Sequence, residues 1–256
     1  MRNLHKAYYK DYFKNLNFGY LLNNGEEPKA EIKRRNAYFS VPNLLHIIPI
    51  NPLVNHFFEL KIDYPGLVTG VGINHEAKIE GEFKLGMHFD WTYGMPVVYG
   101  SSVKGVLRNA FITKMEKGKI IEYDDFFLKE VTGHNWEQKE IETLFNTIFE
   151  GKGADGNNLS IYDRDIFFDA VITKADNEGR ILCSDSITPH GDNPLKNPTP
   201  ITFMKIAPGC EIEFRFKLTN NGLPANKKKE LFNKILITLG VGAKTNVGYG
   251  QLKNVQ

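Results

Sequence analysis

The chain has only two cysteines in 256 residues, Cys183 and Cys210, and neither sits in a Cys-x-x-Cys spacing or beside a paired histidine. That excludes a disulfide framework, and it leaves two packed thiols rather than a zinc site as the expectation. Long apolar runs are missing as well. Stretches such as Ile47-Ile48-Pro49-Ile50 fall far short of the ~20 residues a membrane-spanning helix needs. The opening MRNLHKAYYKDYF lacks the apolar stretch of a secretory leader, so a cytoplasmic location without membrane contact is expected. No sign of charge dominates either: 32 Lys and Arg against 30 Asp and Glu give a net charge of +2. The whole-molecule field therefore makes no case for a nucleic-acid partner, and any such case has to be local. Two basic runs, Lys33-Arg34-Arg35 and Lys227-Lys228-Lys229, read as solvated surface.

What is present suffices for a folded core, with 41% hydrophobic residues. Residues 1–55 are punctuated by Asn23-Asn24-Gly25 and by Pro42, Pro49 and Pro52, and read as an N-terminal extension packed on the core. Residues 56–256 read as one domain with a helical insertion at about 117–165, its helical stretch near Glu137 to Phe149. Phe57 to Ile62 reads as a strand. After it, Val103, Val106, Leu107, Ala110 and Phe111 repeat at helical spacing, with Ser101 as the expected N-cap. Ile166 to Thr173 returns to strand character. EIEFRFKL from Glu211 alternates charged and apolar residues, as a strand with one face in a core would. Between them, the proline-rich stretch from Ser184 to Pro200 predicts a protruding loop or irregular hairpin. Leu231, Phe232, Ile235, Leu236 and Leu239 mark a closing helix with Gly240 as its left-handed cap, and a short strand from Gly250 to Val255 closes the sheet. This order predicts an α+β, ferredoxin-like fold of the RRM-like kind, carrying insertions and a protruding thumb.

Three segments can carry chemistry. In GSSVKGVLRNAF, the backbone N–H groups around Ser101 and Ser102 open a helix, a natural place for an anion, and Lys104 and Arg108 share one helix face. In GVGAKTNVGYG, the glycines around Gly242, Lys244, Thr245 and Asn246 permit close backbone approach to a ligand. The G-x-x-x-x-G-K-[ST] spacing is absent there, which argues against a nucleotide triphosphatase. The third segment, Leu67 to Trp91, holds Gly72, His75, Glu76, His88 and Asp90 without a fixed spacing. His75, His88 or Asp90 could serve as acid or base, while Asp90 could equally cap a turn. No cofactor, resident metal or catalytic constellation is expected.

Taken in order, GVGINHE, the GSSVKGVLRNAF helix start, FFDAVIT followed by SDSITPH, and GVGAKTNVGYGQL resemble the RAMP proteins of type III CRISPR effectors. Among these they are most similar to the sixth-subunit family of type III-B Cmr complexes. The resemblance covers roughly residues 57–256. It implies a non-catalytic subunit that holds the 3′ part of the guide crRNA and helps position target RNA for antiviral defence. Its partners would be the guide, the target and other Cmr subunits, including repeated backbone RAMP proteins. It also implies RNA contacts at Gly72, His75, Ser101, Ser102, Lys104, Arg108, Gly242, Lys244, Thr245 and Asn246. Two alternatives stand beside it: a RAMP-type endoribonuclease acting on guide precursor or target, and an assembly subunit whose RNA contacts are incidental.

Overall fold

The computed structural model describes residues 3–16, 26–70, 77, 79–188 and 200–255. Gly72 and His75, and the tip of the proline-rich stretch, lie outside them.

The main sheet is six-stranded and antiparallel. Its strands are β1 (His56–Ile62), β2 (Val97–Val98), β5 (Ile166–Phe167), β6 (Ala170–Lys174), β9 (Glu211–Lys217) and β10 (Leu252–Asn254). They run in the order β10-β1-β9-β6-β2, with β5 also paired to β9. Helix α3 (Gly100–Asn109) links β1 to β6, and helix α6 (Ala225–Leu239) links β9 to β10. Setting aside β2 and β5, this is the split βαβ arrangement of the ferredoxin-like fold, with insertions added. The inner face of β1 and β9 presents Phe58, Leu60, Ile212, Phe214 and Phe216, all buried. Phe58 lies opposite Phe214 in register, their rings 5.6 Å apart, and Phe216 meets Phe232 of α6 at 5.5 Å. Each such ring pair adds roughly 0.5–1.5 kcal/mol beyond the area it buries.

The outer face departs from the alternation. β9 is buried along nearly its whole length, and its charged residues Glu211, Glu213 and Arg215 are buried too. The reason is local pairing. Arg215 donates to Glu213 at 2.6 Å and to the carbonyls of Ile48 and Pro49 at 2.9 Å, while Lys174 reaches Glu211 at 2.7 Å. The Pro-punctuated stretch thus covers a charged sheet face that the sequence pattern assigns to solvent.

Helices α1 (Leu4–Lys6, continuing as a wider turn through Asp11) and α2 (Glu26–Phe39), with Tyr12 capping the first, contribute Leu4, Tyr8, Tyr12, Ile32 and Phe39 to the same core cluster as the sheet. The basic run on α2 is not plain surface. Arg35 donates to Glu31 at 2.6 Å and to the carbonyls of Asp11 and Lys14 at 3.2 and 2.8 Å, capping the first helix; Arg34 stays exposed.

The insertion holds more than one helix. A hairpin of β3 (Ile112–Glu116) and β4 (Lys119–Tyr123) precedes α4 (Phe126–Thr132) and α5 (Gln138–Phe145), the last opened by a Glu137–Glu140 capping box. The proline-rich stretch is framed by a regular hairpin, β7 (Leu182–Ile187) and β8 (Ile201–Ile206), paired from Leu182↔Ile206 to Ile187↔Ile201.

The second basic run is also reassigned. Lys228 is fully buried, and its Nζ is 2.6 Å from Asp165 Oδ2. The other Asp165 oxygen accepts from the backbone N–H and hydroxyl of Thr219 at 2.7 and 3.1 Å. Burial lowers the Lys228 pKa, and the Asp165 charge and hydrogen bond oppose that shift.

Candidate functional site

Helix α3 begins one residue earlier than its expected cap: Gly100 is its first residue and Tyr99 its N-cap. Glycine is required there by space. A Cβ on Gly100 would lie 2.2 Å from the Phe167 carbonyl oxygen, so the helix start rests directly on the backbone between β5 and β6. That strand region is broken at Phe168 and Asp169, and the break has a use. The Asp169 carboxylate accepts the Gly100 N–H at 2.7 Å, placing a negative charge at the positive end of the helix. The anion position expected at the helix start is thus partly filled by the protein's own carboxylate.

The terminal glycine-rich loop folds back on the segment that follows β1 and on itself. Val241 N–H donates to Gly250 O at 2.9 Å, Gly250 N–H to Gly66 O at 2.8 Å, and Ala243 N–H to Val68 O at 2.8 Å. A short turn at Thr245–Val247 is entered through Lys244 at φ 62°. Gly240 has the expected positive φ of 71°, but its ψ of −175° is extended, so it ends α6 without forming a left-handed cap. Several of the loop's N–H donors are therefore committed to the fold.

These two segments, remote in sequence, meet. A groove of about 480 Å³ runs between them. Ser102, Gly105, Val106 and Asn109 of α3 form one wall; Leu239, Gly240, Gly242 and Thr245 form the other. Among the described residues lining it, none has a charged side chain. Lys104 and Arg108 are on the other side of α3, as their spacing from Ser102 and Val106 dictates. Arg108 turns to the insertion, its Nε 3.4 Å from Glu150 and its guanidinium 4.9 Å from the Phe145 ring centre. The sequence-predicted residues thus split. Ser102, Gly242 and Thr245 share the groove, Lys244 and Asn246 flank Thr245 in the chain, Ser101 is exposed at the helix start, and the two α3 cations face elsewhere.

Of the acid and base candidates, Asp90 forms a turn: its Oδ1 accepts the N–H groups of Thr92 and Tyr93 at 2.9 and 2.6 Å. His88 stacks on Tyr99 at 4.1 Å, and burial lowers its pKa, opposed by Asp169. Asp185, at the hairpin, is paired with Lys205 and accepts the Tyr249 hydroxyl at 2.8 Å. Burial works against its charge, but the bonds from Lys205, Tyr249 and Ser186 outweigh it and hold its pKa below the ordinary carboxylate value. Among the described residues no cluster of three or more His, Cys, Asp or Glu could hold a metal ion, and no helix is long and apolar enough to cross a membrane. Sequence reasoning missed Asp169, Asn109 and Tyr249. The only signal for them was position: one interrupts an apolar strand, one ends an amphipathic helix, and one sits between two glycines.

The RAMP superfamily model matches residues 59–253, from β1 to β10. The chain belongs to the RAMP superfamily. No curated protein matches it. Among solved structures, a chain of the type III-B Cmr-beta assembly bound to cognate target RNA is similar at 20% identity and a TM-score of 0.51. That alignment covers 78% of this RAMP chain and 58% of the other, so the match spans little over half of that protein's length. Cmr6 from Pyrococcus furiosus is similar at 21% identity and a TM-score of 0.46, covering 78% of this chain and 98% of its own. At these identities the likeness is one of fold.

Proposed function

We propose that this RAMP protein is a non-catalytic, RNA-binding subunit of a type III-B CRISPR effector complex, holding the 3′ part of the guide RNA and helping to position the target. The observation that carries the proposal is the meeting of α3 and the terminal glycine-rich loop in one groove, with Ser102 and Thr245 on opposite walls. The cations lie outside this groove: Lys244 precedes Thr245 in the loop, and Lys104 and Arg108 occupy the far side of α3, Arg108 beside Glu150. A strand passing over α3 would leave its phosphates to these cations, which read charge and not sequence. Specificity would come from guide–target pairing.

The test is purification of the tagged chain with its native complex, sequencing of bound RNA, and ultraviolet crosslink mapping. Crosslinks in 101–109 and 239–250 on the 3′ part of short CRISPR-derived RNAs are the expected result. Absence of bound small RNA would reject the proposal. The endoribonuclease reading is tested on guide precursor and on paired target, with and without divalent metal. The use of Asp90 in a turn weighs against it, and cleavage abolished by His88→Ala would restore it.

A further inference from the structure

We infer that the pocket between the end of α1 and the last turns of α2 takes a nucleotide with a terminal phosphate, the phosphate held by Arg34 and Lys14 and the base lying against the aromatic wall of α2. The pocket holds about 400 Å³, within the range of small-molecule sites. All its described lining precedes residue 59, where the RAMP match begins, so it belongs to the N-terminal extension and not to the superfamily core.

The walls follow from helical spacing. Glu31, Arg34, Arg35 and Tyr38 fall at i, i+3, i+4 and i+7 along α2, one stripe of that helix. Arg35 ties this stripe to the facing segment through bonds of 3.2, 2.5 and 2.8 Å to the carbonyls of Asp11, Tyr12 and Lys14, so the pocket is formed before a ligand arrives. Arg35 is spent on that task. Arg34 is not: it gives Nε and Nη2 to the two Glu31 oxygens at 2.8 Å each, and its Nη1 has no bond to a described residue. A guanidinium gripped along one edge presents the other, and the Nη1–Nη2 fork matches two phosphate oxygens. Across the pocket, the Lys14 ammonium has no partner among the described residues.

The nearby carboxylates leave these cations available. Three cations line the pocket against one carboxylate, Asp11, and Lys6 stands 3.6 Å from it. Glu31 is shared by both arginines, which draw its pKa down to about 2, so it stays charged and keeps Arg34 aimed. An arginine fork and a separate ammonium suit a terminal phosphate, with its three acceptor oxygens and roughly two charges, better than a carboxylate with two oxygens and one charge. The rest of the lining asks for a flat body attached to that phosphate. Tyr38, half-buried, stands edge-on to Phe39 with ring centres 5.4 Å apart, an aromatic surface of the kind bases stack on.

The test is calorimetric titration of the full-length chain with AMP, adenosine and inorganic phosphate, and with a five-nucleotide RNA ending in a phosphate or in a hydroxyl. AMP is expected to bind about tenfold more tightly than either adenosine or phosphate, the scale of one charged contact or one stacked base. Arg34→Gln and Lys14→Gln should each weaken AMP by about tenfold and flatten its dependence on salt, with the unfolding midpoint little changed because both side chains are exposed. Phosphate-ended RNA binding more tightly than AMP would assign the pocket to the end of an RNA strand, and equal binding would assign it to a free nucleotide; either supports the inference.

No binding of AMP or of the phosphate-ended RNA at millimolar concentration would overturn it, as would binding indifferent to both substitutions. Inorganic phosphate binding as tightly as AMP would reduce the site to an anion seat and remove the base from it. Penta-glutamate binding more tightly than AMP, and lost in Arg34→Gln, would overturn the inference in favour of an acidic protein segment. The inference goes beyond the RNA-binding reading of the groove and stands apart from it: a complex that fails to hold guide RNA leaves the AMP titration of this pocket unchanged.

Discussion

The two ends of helix α6 differ in a way that inverts their appearance in the sequence. Its start carries three consecutive lysines, yet Lys228 is sealed against Asp165 with no exposed surface. Its end is apolar and glycine-rich, yet Leu239 and Gly240 open onto the groove that faces α3. The charged end is structural and the neutral end is available. A lysine in a helix of this kind follows helical periodicity before charge: Lys228 falls three residues before Leu231 and four before Phe232, on the buried stripe. Once there, it is tolerable only because a carboxylate meets it.

Breaking the closed end should have the largest effect. Lys228→Met leaves Asp165 buried without its counter-charge and should cost about 3–5 kcal/mol in urea unfolding. Lys228→Met with Asp165→Asn should recover much of that, since the asparagine oxygen can still accept from Thr219. Next comes the closed end of α3. Gly100→Ala forces a methyl against the Phe167 carbonyl and should cost about 1–3 kcal/mol by the same measurement. The open middle of α3 should respond with the opposite sign: Gly105→Ala adds a methyl into free space and should stabilise by about 0.5–1 kcal/mol.

The smallest effect is a pH dependence. Asp185 has its pKa held below the ordinary 3.8, so its contribution is complete above that value and is lost as pH falls through the lower folded value. The stability difference between wild type and Asp185→Asn should therefore be constant near neutrality and shrink below about pH 4.

Periodicity made the ferredoxin-like framework legible. β1, α3, β9 and α6 all stand close to where their apolar spacing puts them, because each buries one stripe or face in a shared core. The β3–β4 hairpin and α4 were not legible. Ile112–Glu116 and Lys119–Tyr123 are largely exposed, so no buried face wrote an alternation into them. The double burial of β9 was hidden for another reason. Glu213 and Arg215 neutralise each other side by side, and only the path of Ile48 and Pro49 overhead reveals that their face is covered. At the site, the two motifs were visible separately. Their meeting was not, since it depends on β1, β9 and β10 bringing the end of α6 alongside α3. The turn of Lys104 and Arg108 away from the Val106 face followed from spacing alone. Asp169 at the first N–H of α3 did not, because its role is set by a strand break.

Tyr249 links two parts that otherwise look independent. Its ring packs on Val68 and Phe203, Lys205 lies 5.5 Å above that ring, and its hydroxyl is bonded to Asp185 on β7. The same residue closes the glycine-rich loop, where its N–H returns to Lys244. The tilt of the β7–β8 hairpin and the position of the groove's far wall are therefore not free of each other. A strand or neighbour that levers the hairpin has either to break the Tyr249–Asp185 bond or to carry the wall with it, so the geometry of the groove registers what leans on the hairpin.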